Sequence, residues 1–157
     1  MIRGMKRIAI FLVLVLAATL SACNSVNMKP HSLDKSETVY AWYGGYHMRH
    51  AVKAELESRG YKVVVGKLKG ETFAERNDDD IVISKEDAMG ARYILRTRER
   101  GKSFAPILCA FGGFYWWTFD VSISDQKTGE ELLSWTGRGC ANGNLARLEK
   151  IMDKIEK

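Results

Sequence analysis

Proline and cysteine are both scarce: two and three residues, respectively, in a chain of 157. The first number excludes a Pro-rich spacer protein, and the second excludes a disulfide-dense miniprotein. The chain has no Gly-rich phosphate loop, no Ser-x-x-Lys, no Gly-x-Ser-x-Gly and no His-Glu-x-x-His. The short signatures of nucleotide binding, acyl-enzyme chemistry and zinc proteolysis are therefore missing, although a scattered triad leaves no such signature. A concentrated basic excess is also lacking. The formal charge of +5 includes Arg3, Lys6 and Arg7, and without them 21 basic residues face 19 acidic ones. That balance argues against a nucleic-acid partner. What remains is 46% hydrophobic and 27% charged, which is the composition of one globular domain.

The N-terminus carries the most specific signal. Arg3, Lys6 and Arg7 precede Ile8 to Leu20, an uncharged run of 13 residues. This is the order of a secretory signal peptide, and the run is shorter than the roughly 20 residues of a comfortable membrane span. It ends in Leu20-Ser21-Ala22-Cys23, which resembles the lipobox of bacterial lipoproteins. The resemblance implies cleavage between Ala22 and Cys23, a diacylglyceryl thioether on Cys23 and acylation, such as palmitoylation, of the new amine. Two or more acyl chains anchor stably where one is marginal. In that class the residue after the cysteine influences sorting. Asn24, rather than Asp, implies the outer membrane, facing the periplasm.

The expected organisation is a signal peptide over 1–22, a lipidated Cys23 with a flexible tether to residue 37, and one domain over 38–157. Residues 24–37 are polar and aperiodic, with Pro30. Thr38–Trp42 is rich in β-formers, and Gly44-Gly45 breaks it. Met48, Ala51, Val52 and Leu56 recur at helical spacing over 46–59, with Gly60 at the C-cap position. Tyr61–Val65 reads as a buried strand. Residues 66–80 are weakly patterned. Ile81–Ile83 is a brief apolar run, and Ser84 with Asp87 suggests a short helix closed by Gly90. Ala91–Glu99 alternates, with Tyr93, Leu95 and Thr97 on one face and Arg92, Ile94, Arg96 and Arg98 on the other. Phe114–Ser124 alternates more strictly, Asp125–Glu130 forms a turn, and Leu132–Arg138 returns. Asn142 or Asn144 can cap a last helix whose apolar stripe is Leu145, Leu148, Ile151, Met152 and Ile155. The order β-α-β-(α)-β-β-β-α predicts an α+β two-layer sandwich. Its mixed sheet has about five strands, covered on one face by two main helices, with a parallel first β-α-β unit and an antiparallel closing hairpin.

Ala88-Met89-Gly90-Ala91-Arg92-Tyr93-Ile94-Leu95 and Val121-Ser122-Ile123-Ser124-Asp125-Gln126-Lys127-Thr128-Gly129-Glu130 together resemble small periplasmic lipoprotein domains. The penicillin-binding-protein activators and the curli-secretion lipoprotein are examples. The likeness is one of pattern over about 38–157, and Arg92 stands where those families have Asp. It implies a partner-binding or assembly role rather than catalysis.

Cys109 and Cys140 remain after Cys23 is lipidated. If Ser124 faces Glu131 across the hairpin, Tyr115 faces Cys140, and Cys109 lies at the same end. A disulfide then becomes geometrically reasonable in an oxidising compartment. His47 and His50 share a helix face, but nothing near them completes a metal site. Asp78–Asp80 lacks the alternation of a calcium loop. Arg92, Arg96, Arg98 and Arg100 form a basic row that is either solvated or paired with Asp120 and Glu131. Residues 104–117 (FAPILCAFGGFYWW) are either core leading into a strand or an exposed apolar loop. In the second case Phe104, Ile107, Leu108, Phe111 and Trp116 would meet a partner or the membrane interface. No cofactor, metal or catalytic residue is expected.

The sequence thus points to a non-enzymatic, lipid-anchored envelope protein that binds or positions another envelope component, with a protein partner expected. The rivals are a small envelope hydrolase and a glycan- or lipid-binding protein.

Overall fold

A computed structural model of the chain describes residues 24–42, 44–66 and 90–156. Its elements are β1 (Ser25–Met28), β2 (Thr38–Trp42), α1 (Tyr46–Ser58), β3 (Lys62–Gly66), β4 (Tyr93–Phe104), β5 (Tyr115–Asp125), β6 (Glu131–Cys140) and α2 (Ala141–Ile155). The expected signal peptide and Cys23, the apolar run 81–83, the short helix from Ser84 and the acidic triplet 78–80 lie outside the described residues.

The fold is α+β, with a mixed six-stranded sheet in the order β1-β6-β5-β4-β2-β3. The pairs β2–β3 and β2–β4 are parallel, whereas β4–β5, β5–β6 and β1–β6 are antiparallel. Alternation decides what each strand buries. Val39 and Ala41, Tyr93 and Leu95, Phe119, Val121 and Ile123, and Leu133 and Trp135 enter one core. Met48, Val52 and Leu56 from α1 and Leu148, Ile151, Met152 and Ile155 from α2 join the same cluster. The Phe119 and Trp135 rings meet edge-on with centroids 4.6 Å apart. Gly137, opposite Phe119 in the ladder, makes room for that ring: a Cβ there would stand 2.4 Å from Phe119 Cζ.

The sixth strand corrects the expected tether. Ser25–Met28 pairs with Thr136–Leu133, and Leu33 is fully buried in the core. The backbone N–H of Lys29 donates to Leu132 O at 2.9 Å, and that of Leu33 donates to Ile155 O at 3.1 Å. Polar composition concealed a short edge strand, because an edge strand needs few apolar residues of its own.

Two further expectations need correction. The hairpin begins as expected, with Ser124 opposite Glu131, but a bulge beside Ser124 shifts the register so that Trp116, not Tyr115, faces Cys140. In α2, neither Asn142 nor Asn144 caps the helix. The N-cap is Cys140, which makes no side-chain cap bond, while buried Asn144 donates through Nδ2 to Gly139 O at 3.0 Å. Leu145, expected in the apolar stripe, is exposed.

Candidate functional site

Residues at equal levels of β4, β5 and β6 assemble a surface away from the core. Arg96 pairs with Ser122, which pairs with Ser134. Arg98 pairs with Asp120, which pairs with Thr136. These residues alternate with the core positions Leu95, Val121, Ile123, Leu133 and Trp135, so they present the opposite face of the sheet. Trp42, Tyr46 and Glu99 help close a groove of about 1000 Å³ over them. The guanidinium carbon of Arg96 lies 5.6 Å from the Trp42 ring centroid, within range of a cation–π contact.

The rim beside Trp42 is built by backbone chemistry. Gly45 is left-handed (φ 60°), and a Cβ there would stand 2.9 Å from Thr97 backbone and hydroxyl atoms, so only glycine fits. The Thr97 hydroxyl donates to Gly44 O at 2.7 Å. Glu99 then reaches across from β4 to accept the Met48 backbone N–H at 2.7 Å, supplying the first turn of α1 with the cap that Gly45 cannot. No local pattern signals this cap, because the acceptor lies 51 residues away.

The basic row resolves into distinct partners. Arg100 donates to both Asp120 oxygens at 2.7 Å, and the Thr136 hydroxyl donates to Asp120 Oδ1 at 2.8 Å. The Arg100 hydrogen bonds hold the Asp120 carboxyl below the usual carboxylate range, against the opposing effect of burial. Arg92 donates through Nε to Asp125 Oδ2 at 2.8 Å and likewise depresses Asp125. Asp125 Oδ1 accepts the backbone N–H of Lys127 at 2.8 Å. One carboxylate thus closes the hairpin turn and ties it to the start of β4. Glu131, the other expected partner, sits opposite Ser124.

The 104–117 stretch divides. Trp116 and Trp117 are half-buried in β5, whereas the preceding loop is an exposed apolar knob. Phe104 and Leu108 are exposed, and Ile107 and Phe111 are 95% and 101% exposed. At its base Cys109 is buried and bonded to Cys140, with Cα atoms 5.5 Å apart. Further bonds lock this base: Ala105 N–H to Phe114 O at 2.8 Å, Cys109 N–H to Ala105 O at 2.8 Å and Asn142 N–H to Gly112 O at 3.0 Å.

The histidines have local roles. His47 stacks on Trp117 at 5.8 Å and contacts Lys102 Nζ at 3.0 Å, and His50 lies 4.4 Å from the Tyr46 ring. Among the described residues no group of three or more His, Cys, Asp or Glu stands together to hold a metal ion, and no helix is long and apolar enough to cross a membrane.

No family model matches the chain, and no curated protein matches it. Solved structures do. Two crystal forms of a PelC dodecamer from Paraburkholderia phytofirmans, in space groups C2 and P6, superpose with TM-scores of 0.56 and 0.52 at 13% and 12% identity. Each match covers 85% of this chain and 98% of the other. TolB from Acinetobacter baumannii matches at a TM-score of 0.42 and 10% identity, over 83% of this chain and 30% of its own. At these identities the PelC likeness is one of fold.

Proposed function

We propose that this chain is a lipid-anchored protein of the bacterial outer membrane, facing the periplasm, that binds or positions another envelope component without chemistry of its own. The anchor is Cys23, exposed by cleavage after Ala22. In this reading both helices cover one face of a two-layer sandwich and leave the other face of the sheet to the ligand. The single observation that carries the binding role is the groove on that face. Its mixed lining of Trp42, Arg96, Arg98, Ser122 and Thr136 offers stacking and hydrogen bonding together, as recognition surfaces do. PelC was solved as a dodecamer, so a second copy of this chain stands among the components to be sought.

The groove also favours one alternative ligand, a glycan. An aromatic ring beside a guanidinium and several hydroxyl groups suits sugar faces and their hydroxyls. Crosslinking from Ser122 in living cells, in the intact chain and in Cys23→Ser, separates the outcomes. A protein captured only by the anchored form supports the adaptor role and names its partner. Recovery of glycan instead moves the ligand class, and no capture from the groove overturns the binding role of this face.

A further inference from the structure

The apolar knob and the point where the chain enters the fold lie at the same end of the molecule. Asn24 donates through Nδ2 to Arg138 O at 3.3 Å. From there β1 runs antiparallel to β6, with Ser25 opposite Thr136 and Met28 opposite Leu133. The chain therefore enters from the Cys140 end of β6, where the disulfide holds the knob. Since β1 begins at Ser25, only Asn24 separates Cys23 from a hydrogen-bonded strand, two Cα steps that span at most about 7 Å. No tether remains to lift this end of the domain away from a lipidated Cys23.

Next to this point lies a groove of about 770 Å³ lined by Asn24, Trp116, Arg138, Arg147 and Lys150 among others. Among the described residues that line it, three are basic and none is acidic. Lys102, at the foot of the knob, stands 4.2 Å from the Tyr115 ring centroid. Exposed apolar side chains at the same end of the fold as a basic groove form the pattern of a surface that enters the headgroup boundary of an anionic bilayer.

We infer that the Phe104–Tyr115 knob is a second membrane contact: Ile107, Leu108 and Phe111 enter the bilayer that receives the acyl chains, while Arg138, Arg147 and Lys150 face phospholipid phosphates. This inference rests on the lipid-anchor reading. Two contacts fix the domain's orientation, and the disulfide keeps the knob rigid, so that its apolar side chains meet lipid at little cost in ordering. The hairpin turn at 126–130 then points away from the membrane.

The test labels Phe111→Cys with an environment-sensitive nitrobenzoxadiazole dye, and Thr128→Cys as the distal control. The chain from residue 23 carries Cys23→Ser and an N-terminal histidine tag. It is held on vesicles of phosphatidylethanolamine, phosphatidylglycerol and a nickel-chelating lipid, which places it without requiring native lipidation. The expected result is blue-shifted emission at 111, quenched by brominated acyl chains, with neither effect at 128. Aqueous emission at 111 overturns the inference and leaves the anchor reading standing. So does a shielded dye that brominated lipid fails to quench, since the knob would then be covered by protein. A Cys23 found without lipid in cells removes the premise and overturns both.

Discussion

Cys109 and Cys140 hold their Cα atoms 5.5 Å apart, and the bond joins the base of the apolar knob to the N-cap of α2. Closing a segment of 31 residues stabilises the fold by roughly 3–4 kcal/mol in the chain-entropy account. Replacing both cysteines by serine is expected to lower the denaturation midpoint accordingly. It should also raise amide exchange over 105–114 more than in the sheet. An unchanged midpoint would show that the hydrogen bonds at the knob's base suffice alone.

The N-terminal segment behaves as part of the core. Leu33→Ala removes a fully buried side chain and is expected to cost about 2–5 kcal/mol, measurable by urea unfolding. Deleting residues 24–34 should abolish cooperative unfolding altogether. Were the segment a tether, neither change would affect the domain's stability.

That difference shows where the sequence could be read and where it could not. Strict alternation in Trp117, Phe119, Val121 and Ile123 marked β5 and its buried side correctly, because a half-buried strand writes its period into the sequence. The stripe of Met48, Val52 and Leu56 marked α1 for the same reason. β1 has no such period: it is a short edge strand whose place is set by pairing with β6. The groove was invisible because it is a product of register. Arg96, Ser122 and Ser134 are distant in sequence and become neighbours only once three strands align. The apolar knob was legible as a stretch but not as exposed, since Phe and Ile belong equally to a core and to a docking surface. The bulge beside Ser124 moved the partner of Cys140 by one residue, which pattern alone does not report.

Asp125 predicts an acid dependence with a definite sign. Its folded carboxyl titrates below the ordinary value of 3.8, chiefly through the Arg92 hydrogen bond. The stabilisation is therefore complete above the ordinary Asp range and is lost as pH falls from 3.8 through the depressed value. Asp125→Asn should flatten the stability profile over that acidic window, leaving the share due to Asp120, which Arg100 depresses in the same direction. A profile identical to that of the unchanged chain would contradict the role assigned to the Arg92–Asp125 pair. Thermal unfolding across acidic buffers provides the comparison.

Gly137 is expected to be intolerant of any side chain. A Cβ would lie 2.4 Å from Phe119 Cζ and 2.8 Å from the Asn24 carbonyl oxygen Oδ1. Gly137→Ala should cost about 1–3 kcal/mol as overpacking. It should also loosen the junction where the chain joins the sheet, seen as faster amide exchange at Ser25–Met28. A neutral substitution would mean that the Phe119 ring can shift freely within the core.

In the proposed reading this fold stands directly on a lipidated cysteine. That reading is tested most directly by mass spectrometry of the N-terminal peptide of the full chain recovered from bacterial membranes. The expected peptide begins at Cys23 and carries a diacylglyceryl thioether, with mass shifts matching its acyl chains. A peptide that begins elsewhere, or an N-terminal Cys23 with a free thiol, would contradict it.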